Sequence, residues 1–382
     1  MTHDTNSPLH TAYAGQRVLI TGNTGFKGSW LAIWLRELGA EVRGFSTAPP
    51  TTPNNFTLCQ LDQRMTTVMG DVRDAAAVQA AMADFAPTVV FHLAAQPIVL
   101  TSYQLPRETF ATNAQGTVNV LEALRQTPSV RAGVFITTDK VYENREWLYG
   151  YREDDRLGGY DPYSASKAMA ELAIASYRQS FFNPERYAEH GVGVASVRAG
   201  NVIGGGDFAD FRLVPDCMRA LLAGEPIGVR NPKFVRPWQH VLEALSGYLW
   251  LGALLLRDGA AYAGAYNLGP MEMTGITAQA IAERSIALWG QGTWVHVDSD
   301  APRPKETYHL RLSWEKAAQR LGWYPVYTWE DALAEVVAYF KAYAAQVADA
   351  SQPVDLYATC AAHVAAYVAR AQARGVRWAG GE

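Results

Sequence analysis

Residues 16–21 (Q-R-V-L-I-T) form a short apolar run that breaks into Gly22-Asn23-Thr24-Gly25-Phe26-Lys27-Gly28, and from 29 to 38 apolar side chains recur at helical spacing. A strand, a glycine turn and a helix in that order leave few folds open. Glycines let the backbone come close to a pyrophosphate, and the helix start offers it unpaired N–H groups and a partial positive charge. The spacing is G-x-x-G-x-x-G, not the commoner G-x-G-x-x-G. A turn serving only tight strand–helix packing is the plainer alternative.

The pattern repeats down the chain. Residues 41–45 (E-V-R-G-F) read as a second strand running into Ser46-Thr-Ala-Pro-Pro, with neither acid nor arginine, so this stretch does not settle NAD against NADP. Residues 66–68 lead to Gly70-Asp71-Val72, where Asp71 either hydrogen-bonds an adenine or makes a simple turn or helix cap. Residues 89–93 (V-V-F-H-L) read as a buried parallel strand, with His92 a satisfied core histidine. After Leu93 the chain opens into Ala94-Ala95-Gln96, small enough at its start for a cofactor to lie against. Helical spacing returns over 106–125, and 134–137 read as the next strand. Thr138-Asp139-Lys140 stand at its carboxyl end, where open α/β sheets carry their chemistry.

A helix over 164–182 and a strand over 192–198 continue the alternation, which predicts an α/β fold with a doubly wound parallel sheet. After Asn201 the pattern breaks into a glycine loop, a helix over 213–223 and an extended stretch over 230–238, the start of a smaller lobe. A helix over 240–256 and a strand over 263–267 are expected to return to the main sheet. The expected division is a flexible tail over 1–14, a dinucleotide-binding domain over 15–200 completed by 239–268, and a substrate-binding lobe from 201–238 and 269–382. Residues 344–352 come nearest to a flexible joint.

Tyr163-Ser-Ala-Ser-Lys167 puts a phenol and an ammonium one turn apart on one helix face. An ammonium beside a tyrosine favours the phenolate and draws its pKa down from about 10, which suits proton removal from a substrate hydroxyl. The motif is weak alone and gains weight from the glycine turn and Thr138-Asp139 upstream. The formal net charge of −4 leaves no basic surplus for a nucleic-acid backbone or an acidic membrane face. Cys59, Cys217 and Cys360 are far apart in sequence, without a C-x-x-C pair, which fits a reducing compartment and no metal site. No apolar run is long enough for a bilayer, and the first residues lack the apolar core of a secretory signal, so a cytoplasmic protein is expected.

Together these residues resemble the extended short-chain dehydrogenases/reductases that act on nucleotide sugars, from residue 16 to about 368. Segments 22–31 (G-N-T-G-F-K-G-S-W-L), 137–144 (T-T-D-K-V-Y-E-N), 158–167 (G-G-Y-D-P-Y-S-A-S-K), 198–207 (R-A-G-N-V-I-G-G-G-D) and 236–240 (R-P-W-Q-H) are similar to the branch that dehydrates CDP-glucose. Asn23 stands where that branch usually has histidine and Thr138 where it has serine, and both keep hydrogen-bonding capacity. Lys305-Glu306 replaces a His-Glu pair, and Ser313 an aspartate.

The resemblance implies a Rossmann-type domain binding NAD, CDP-glucose as substrate, and a homodimer or dimer of dimers built on the helices that carry 113–125 and 164–182. It assigns Thr138, Asp139, Lys140, Tyr163 and Lys167 to catalysis. Gly22, Thr24, Gly25, Phe26, Lys27, Gly28, Ser46, Asp71, Val72, Leu93, Ala94, Ala95, Gln96 and Thr112 join Tyr163 and Lys167 at the cofactor. Gln96, Asn201, Arg236 and Arg303 fall to the substrate, although a solvated charge is the plain reading of Arg303. The implied chemistry is oxidation at C4, loss of water across C5 and C6, and hydride return to C6, with Asp139 as general acid and Lys140 as base. A lysine serves as base only when neutral, which needs burial or neighbouring cations. A nucleotide-sugar C4 epimerase would share the Thr, Tyr and Lys without needing Asp139. A catalytically silent NAD(H)-binding sensor would need none of them intact.

Overall fold

The structure is a computed structural model that describes residues 7–272, 275–297, 310–349 and 351–381. Its strands are β1 Arg17–Thr21, β2 Glu41–Ser46, β3 Thr66–Met69, β4 Val89–His92, β5 Ala132–Ile136, β6 Gly193–Ala199, β7 Asn201–Ile203, β8 Ile227–Val229, β9 Val235–Arg236, β10 Trp238–His240 and β11 Gly264–Leu268, with two short ones beyond. Seven of them form one parallel sheet in the order β11-β6-β5-β4-β1-β2-β3. The expected doubly wound sheet is therefore present, and its strand order reverses between β1 and β4. Register brings the strand ends level: Thr21 lies opposite His92, His92 opposite Phe135 and Phe135 opposite Ser196. A crevice at the carboxyl ends follows from that arrangement.

Alternation along the strands fills both faces. Leu19, Val90, Phe135 and Val194 join a cluster with Val120, Leu124 and Ile174, while Ile20, Phe91, Val134 and Val197 face Trp30, Trp34 and Leu245. The second cluster runs without interruption from Val18 to Trp378. The helices Trp329–Ala348 and Tyr357–Ala373 therefore share a core with the sheet, and the lobe is not separately packed. As expected, helix Val241–Arg257 lies under the sheet and β11 adds to its edge.

Three features depart from the sequence reading. Pro8–Tyr13 is a helix, not tail: Ser7 caps it, Leu9 and Tyr13 are buried, and the Tyr13 hydroxyl donates to the Leu249 carbonyl at 2.7 Å. Residues 344–348 continue a helix whose start is fixed by a capping box between Thr328 and Asp331, so the expected joint is ordered up to Ala348. Cys59 and Cys360, remote in sequence, meet as free buried thiols with sulfurs 3.6 Å apart. Among the described residues, no helix is long and apolar enough to cross a membrane.

One buried carboxylate joins the helix Val241–Arg257 to the C-terminal segments. Glu243 accepts from the Val326 N–H at 2.9 Å and the Tyr327 N–H at 2.5 Å, and from the Tyr367 hydroxyl at 2.8 Å. Burial nonetheless pushes its carboxyl up to about 7, against those hydrogen bonds. A carboxyl whose folded-state pKa lies above its unfolded value costs nothing below the unfolded pKa, and its cost is complete above the folded one. Replacing Glu243 by Gln removes this titration. Between pH 4.5 and pH 8, urea unfolding is expected to show the stability difference moving in favour of Glu243→Gln by roughly 3 kcal/mol.

Candidate active site

The glycine turn is built by close approach. Gly22 has φ of +79°, and a Cβ there would meet the Ala94 nitrogen at 2.7 Å, so the turn lies directly on the end of β4. A Cβ on Gly28 would strike the Gly22 carbonyl, so only glycine lets the helix Phe26–Glu37 seat this tightly. At Gly25 the constraint differs. Its Cβ would find only the Gly22 oxygen, at 3.4 Å, and as N-cap it brings no side chain to the first N–H groups of the helix. Such a helix start suits an anion such as a pyrophosphate. Thr24 and Ser46 close the side of the turn with a 2.7 Å hydroxyl contact, and Thr24 also donates to the Thr47 carbonyl.

The helix that carries the Tyr-Lys pair, Pro162–Ser180, starts where its sequence dictates. Pro162 occupies the first turn and Asp161 caps it, accepting from the Ser164 N–H at 2.9 Å and the Ser164 hydroxyl at 2.6 Å. Tyr163 and Lys167 both point inward and are buried. Lys167 Nζ donates to the Ile136 carbonyl at 3.1 Å, which ties the helix to the end of β5. Directly beyond Ile136 stand Thr137, Thr138 and Asp139, all buried. The Thr138 hydroxyl donates to Asp139 Oδ1 at 2.9 Å.

Electrostatics show which of the expected residues share one site. Burial pushes the Asp139 carboxyl up, while the charge of Lys140, the Thr138 hydroxyl and the charges of Arg236 and Lys27 pull it down. Lys27 from the glycine turn, Arg236 from β9 and the end of β5 thus surround one carboxyl. Burial lowers Lys167 to about 7, with Lys27 adding to the drop and Glu171 opposing it. Lys27 falls to about 8 through burial and the charge of Arg212, against Asp139 and Asp207.

The expectation for Tyr163 is corrected. Burial pushes its phenol up to about 12, opposed by a hydrogen bond with Thr138 and by Arg212, and Lys167 does not draw it down. The lysine is committed to the Ile136 carbonyl, and desolvation of the phenolate prevails.

Other assignments fare unevenly. Thr112 lies half-buried in a π-turn, Ala111–Gln115, inside the long helix, where Asn113 links Gln96 N–H to Ser166 and so fixes the β4 loop against the Tyr163 helix. The Gln96 side chain donates to the Ile98 carbonyl and to Thr109 while accepting from the Ile98 N–H. Both Asp71 oxygens are engaged by Arg73, and Asp74 caps the following helix. The Val72 carbonyl accepts from Asn119. Leu93, Ala94 and Ala95 line the β4 end half-buried. Asn201 starts β7, one residue after Gly200, whose Cβ would lie 3.2 Å from Asp139 Oδ2. Arg303 and Lys305-Glu306 fall outside the described residues. His92 is the satisfied core histidine expected, held between the hydroxyls of Thr21 and Thr117 at 2.7 and 3.1 Å and kept neutral by burial.

Sequence reading missed Arg212, which pairs with Asp207 at 2.8 Å and whose charge reaches Tyr163 and Lys27. A lone arginine after a glycine loop carries no sequence signal for that.

This geometry is that of a dinucleotide fold with an acid, a phenol and several cations at one crevice. Residues 19–336 match the family model described as GDP-mannose 4,6 dehydratase, and the chain belongs to that family. It is 46% identical over 331 residues to a CDP-glucose 4,6-dehydratase of Salmonella typhimurium, covering 87% of this chain and 92% of the relative. A dTDP-glucose 4,6-dehydratase of Streptomyces antibioticus is 30% identical, over 85% of this chain and 92% of the relative. Among solved structures, a UDP-glucose 4-epimerase of Thermus thermophilus in complex with NAD superposes with a TM-score of 0.71 at 28% identity, covering 85% of this chain and 99% of that one.

The lowered lysine has a direct consequence. At pH 8 about half of an amine of pKa about 8 is neutral, against under about one part in a hundred for an ordinary lysine. Lysine-selective NMR, assigned with Lys27→Met, is expected to show the Lys27 ammonium titrating near pH 8, about two pH units below exposed lysines. Titration of Lys27 with the exposed lysines would contradict the electrostatic picture.

Proposed function

We propose that this protein uses bound NAD to convert CDP-D-glucose to CDP-4-dehydro-6-deoxy-D-glucose, and that it acts in the cytoplasm. The observation that carries the reading is Asp139. Its carboxyl, raised by burial, sits beside Thr138 at the end of β5, in reach of the charges of Lys27 and Arg236. A C4 epimerase needs no such acid, and a silent binding protein would have no reason to retain it. The 46% identity to a CDP-glucose 4,6-dehydratase supports the same choice of substrate.

The residues at the glycine turn fit a dinucleotide: Gly25 leaves the helix start open to a pyrophosphate, with Lys27 beside it. What bound NAD supplies is reversible hydride acceptance, so that hydrogen removed from C4 re-enters at C6 and no external reductant is consumed. Tyr163, as phenolate, takes the proton of the sugar O4, and the Thr138 hydroxyl hydrogen-bonds that oxygen. Burial holds the free phenol protonated, and the charge of Arg212 and the Thr138 hydroxyl beside it favour the ionised form. The resulting 4-ketone acidifies C5–H. Lys140 is the base that removes that proton, and Asp139 protonates the departing O6, which leaves as water. Lys140 then returns its proton to C5 as C6 is reduced. Arg236 serves the substrate diphosphate with its guanidinium fork, and Asn201 borders the sugar.

The assay is direct. Purified protein with CDP-glucose is expected to form a base-sensitive 4-keto sugar with little net NADH, whereas CDP-galactose as product would establish the epimerase instead. Asp139→Asn is expected to keep NAD binding and slow elimination by about 10²-fold or more.

A dimer through the helices flanking the site is part of the proposal. Met169 and Leu172 are 49% and 60% exposed, three residues apart on one face of the Pro162–Ser180 helix. Light scattering is expected to give a dimer for the natural chain and a monomer for Leu172→Glu. An unchanged mass would remove this face from the interface.

A further inference from the structure

Glu171 lies one helical turn beyond Lys167 and makes no contact that the reaction above uses. It is 2% exposed, and its partner Arg198 5%. Its Oε1 accepts from the Thr137 hydroxyl at 2.5 Å, and its Oε2 from Ser196 at 2.9 Å and from Arg198 at 2.8 Å. Arg198 donates onward to the Tyr142 hydroxyl at 2.7 Å and the Glu153 carbonyl at 2.8 Å, and Tyr142 donates to Asn267 at 2.7 Å. A buried pair of this kind is weak evidence for stability, because apolar residues of equal volume serve as well. Its position is the informative part. Thr137 immediately precedes Thr138-Asp139, Tyr142 is two residues past Lys140, and Arg198 is two residues before Gly200, where an added Cβ would lie 3.2 Å from Asp139 Oδ2.

We propose that Glu171 is a positioning residue that locks the turn bearing Thr138 and Asp139 to the helix bearing Tyr163 and Lys167, and sets the charge that Lys167 carries. The inference rests on the dehydratase reading above and assigns it a further component. The two chemical pairs must meet one hexose, yet they come from different elements, a strand end and a helix. Besides the Lys167 bond to the Ile136 carbonyl, Glu171 is a second side chain that joins them, through Thr137 on one oxygen and through Ser196 and Arg198 of β6 on the other. Its negative charge also faces Lys167. Around that ammonium stand Glu171 on its own helix, Lys27 from the glycine turn and neutral His92 from β4. Around Glu171 stand Arg198 from β6 and Arg178 from its own helix. Of the charged groups facing Lys167, Glu171 opposes loss of its proton, as does the Ile136 carbonyl that accepts from it.

The test compares natural protein, Glu171→Gln, Glu171→Asp and Thr137→Val, each loaded with NAD and given CDP-glucose. If the natural protein makes no 4-keto sugar, the functional reading fails; the inference is then judged on the second readout alone. That readout is the Lys167 ammonium titration in substrate-free protein, followed by lysine-selective NMR and assigned with Lys167→Met. In Glu171→Gln, Lys167 is expected to lose its proton about one pH unit or more lower. Its kcat is expected to fall about 10- to 100-fold with KM changed less than about twofold, and the alkaline limb of the pH profile to move down with Lys167. Glu171→Asp is expected to recover part of both. Thr137→Val, which keeps the charge, is expected to lose about 3- to 10-fold in kcat with Lys167 unmoved. A folded Glu171→Gln with natural titration and kcat overturns the proposal. So does a loss that follows only the unfolded fraction. Should Glu171→Gln not fold, natural kcat in Thr137→Val overturns the positioning role.

Discussion

The hydrogen bond from Lys167 to the carbonyl of Ile136 is the contact on which the rest of the site depends. It fastens the start of a helix to the last residue of a central strand, and the residues that follow that strand are Thr137, Thr138 and Asp139. A parallel sheet puts such strand ends side by side, and helices packed on its face put their first turns above them. Buried inside, an ammonium needs an acceptor. The backbone carbonyl supplies it, and the phenol one turn earlier is thereby carried over the acid.

Burial is what gives these groups their chemistry. It raises Asp139 towards the protonated acid, lowers Lys27 and Lys167 towards neutral amines, and raises Tyr163. Burial thus weakens the charged form of each of these groups. Each charge that persists is opposed by another: Arg212 by Asp207, Arg198 by Glu171, Lys167 by the same glutamate. In a chain of net charge −4, cations gather at this one crevice, Lys27, Arg212 and Arg236 among them.

Much of this was legible in the sequence because it rests on local rules. The strand–glycine–helix junction, the alternation up to 198, the return of 240–256 and 263–267 to the sheet and the helix expected over 164–182, which begins two residues earlier at Pro162, follow from periodicity and turn chemistry. What failed depends on contacts remote in sequence. Whether residues 8–13 fold was decided by Leu249, some 236 residues away from Tyr13. The ordering of 344–348 depends on the core shared with the sheet, and the meeting of Cys59 with Cys360 on the same packing. Motifs record position and not the neighbour that engages a side chain, so the bonds of Gln96 to Ile98 and Thr109 and of Asp71 to Arg73 were not legible in them. The pKa of Tyr163 went the other way because the motif gives a nearby lysine but not the depth of burial.

The central claim is that one hexose meets the acid of β5 and the phenol of the helix at the same time. A crystal structure of Tyr163→Phe holding NAD and unreacted CDP-glucose measures this directly. The account predicts the Asp139 carboxyl within about 3.2 Å of the sugar O6, or one water away, and the edge of the substituted aromatic ring against O4. Asp139 turned away from the sugar, or the hexose lying beyond the reach of either side chain, would contradict it.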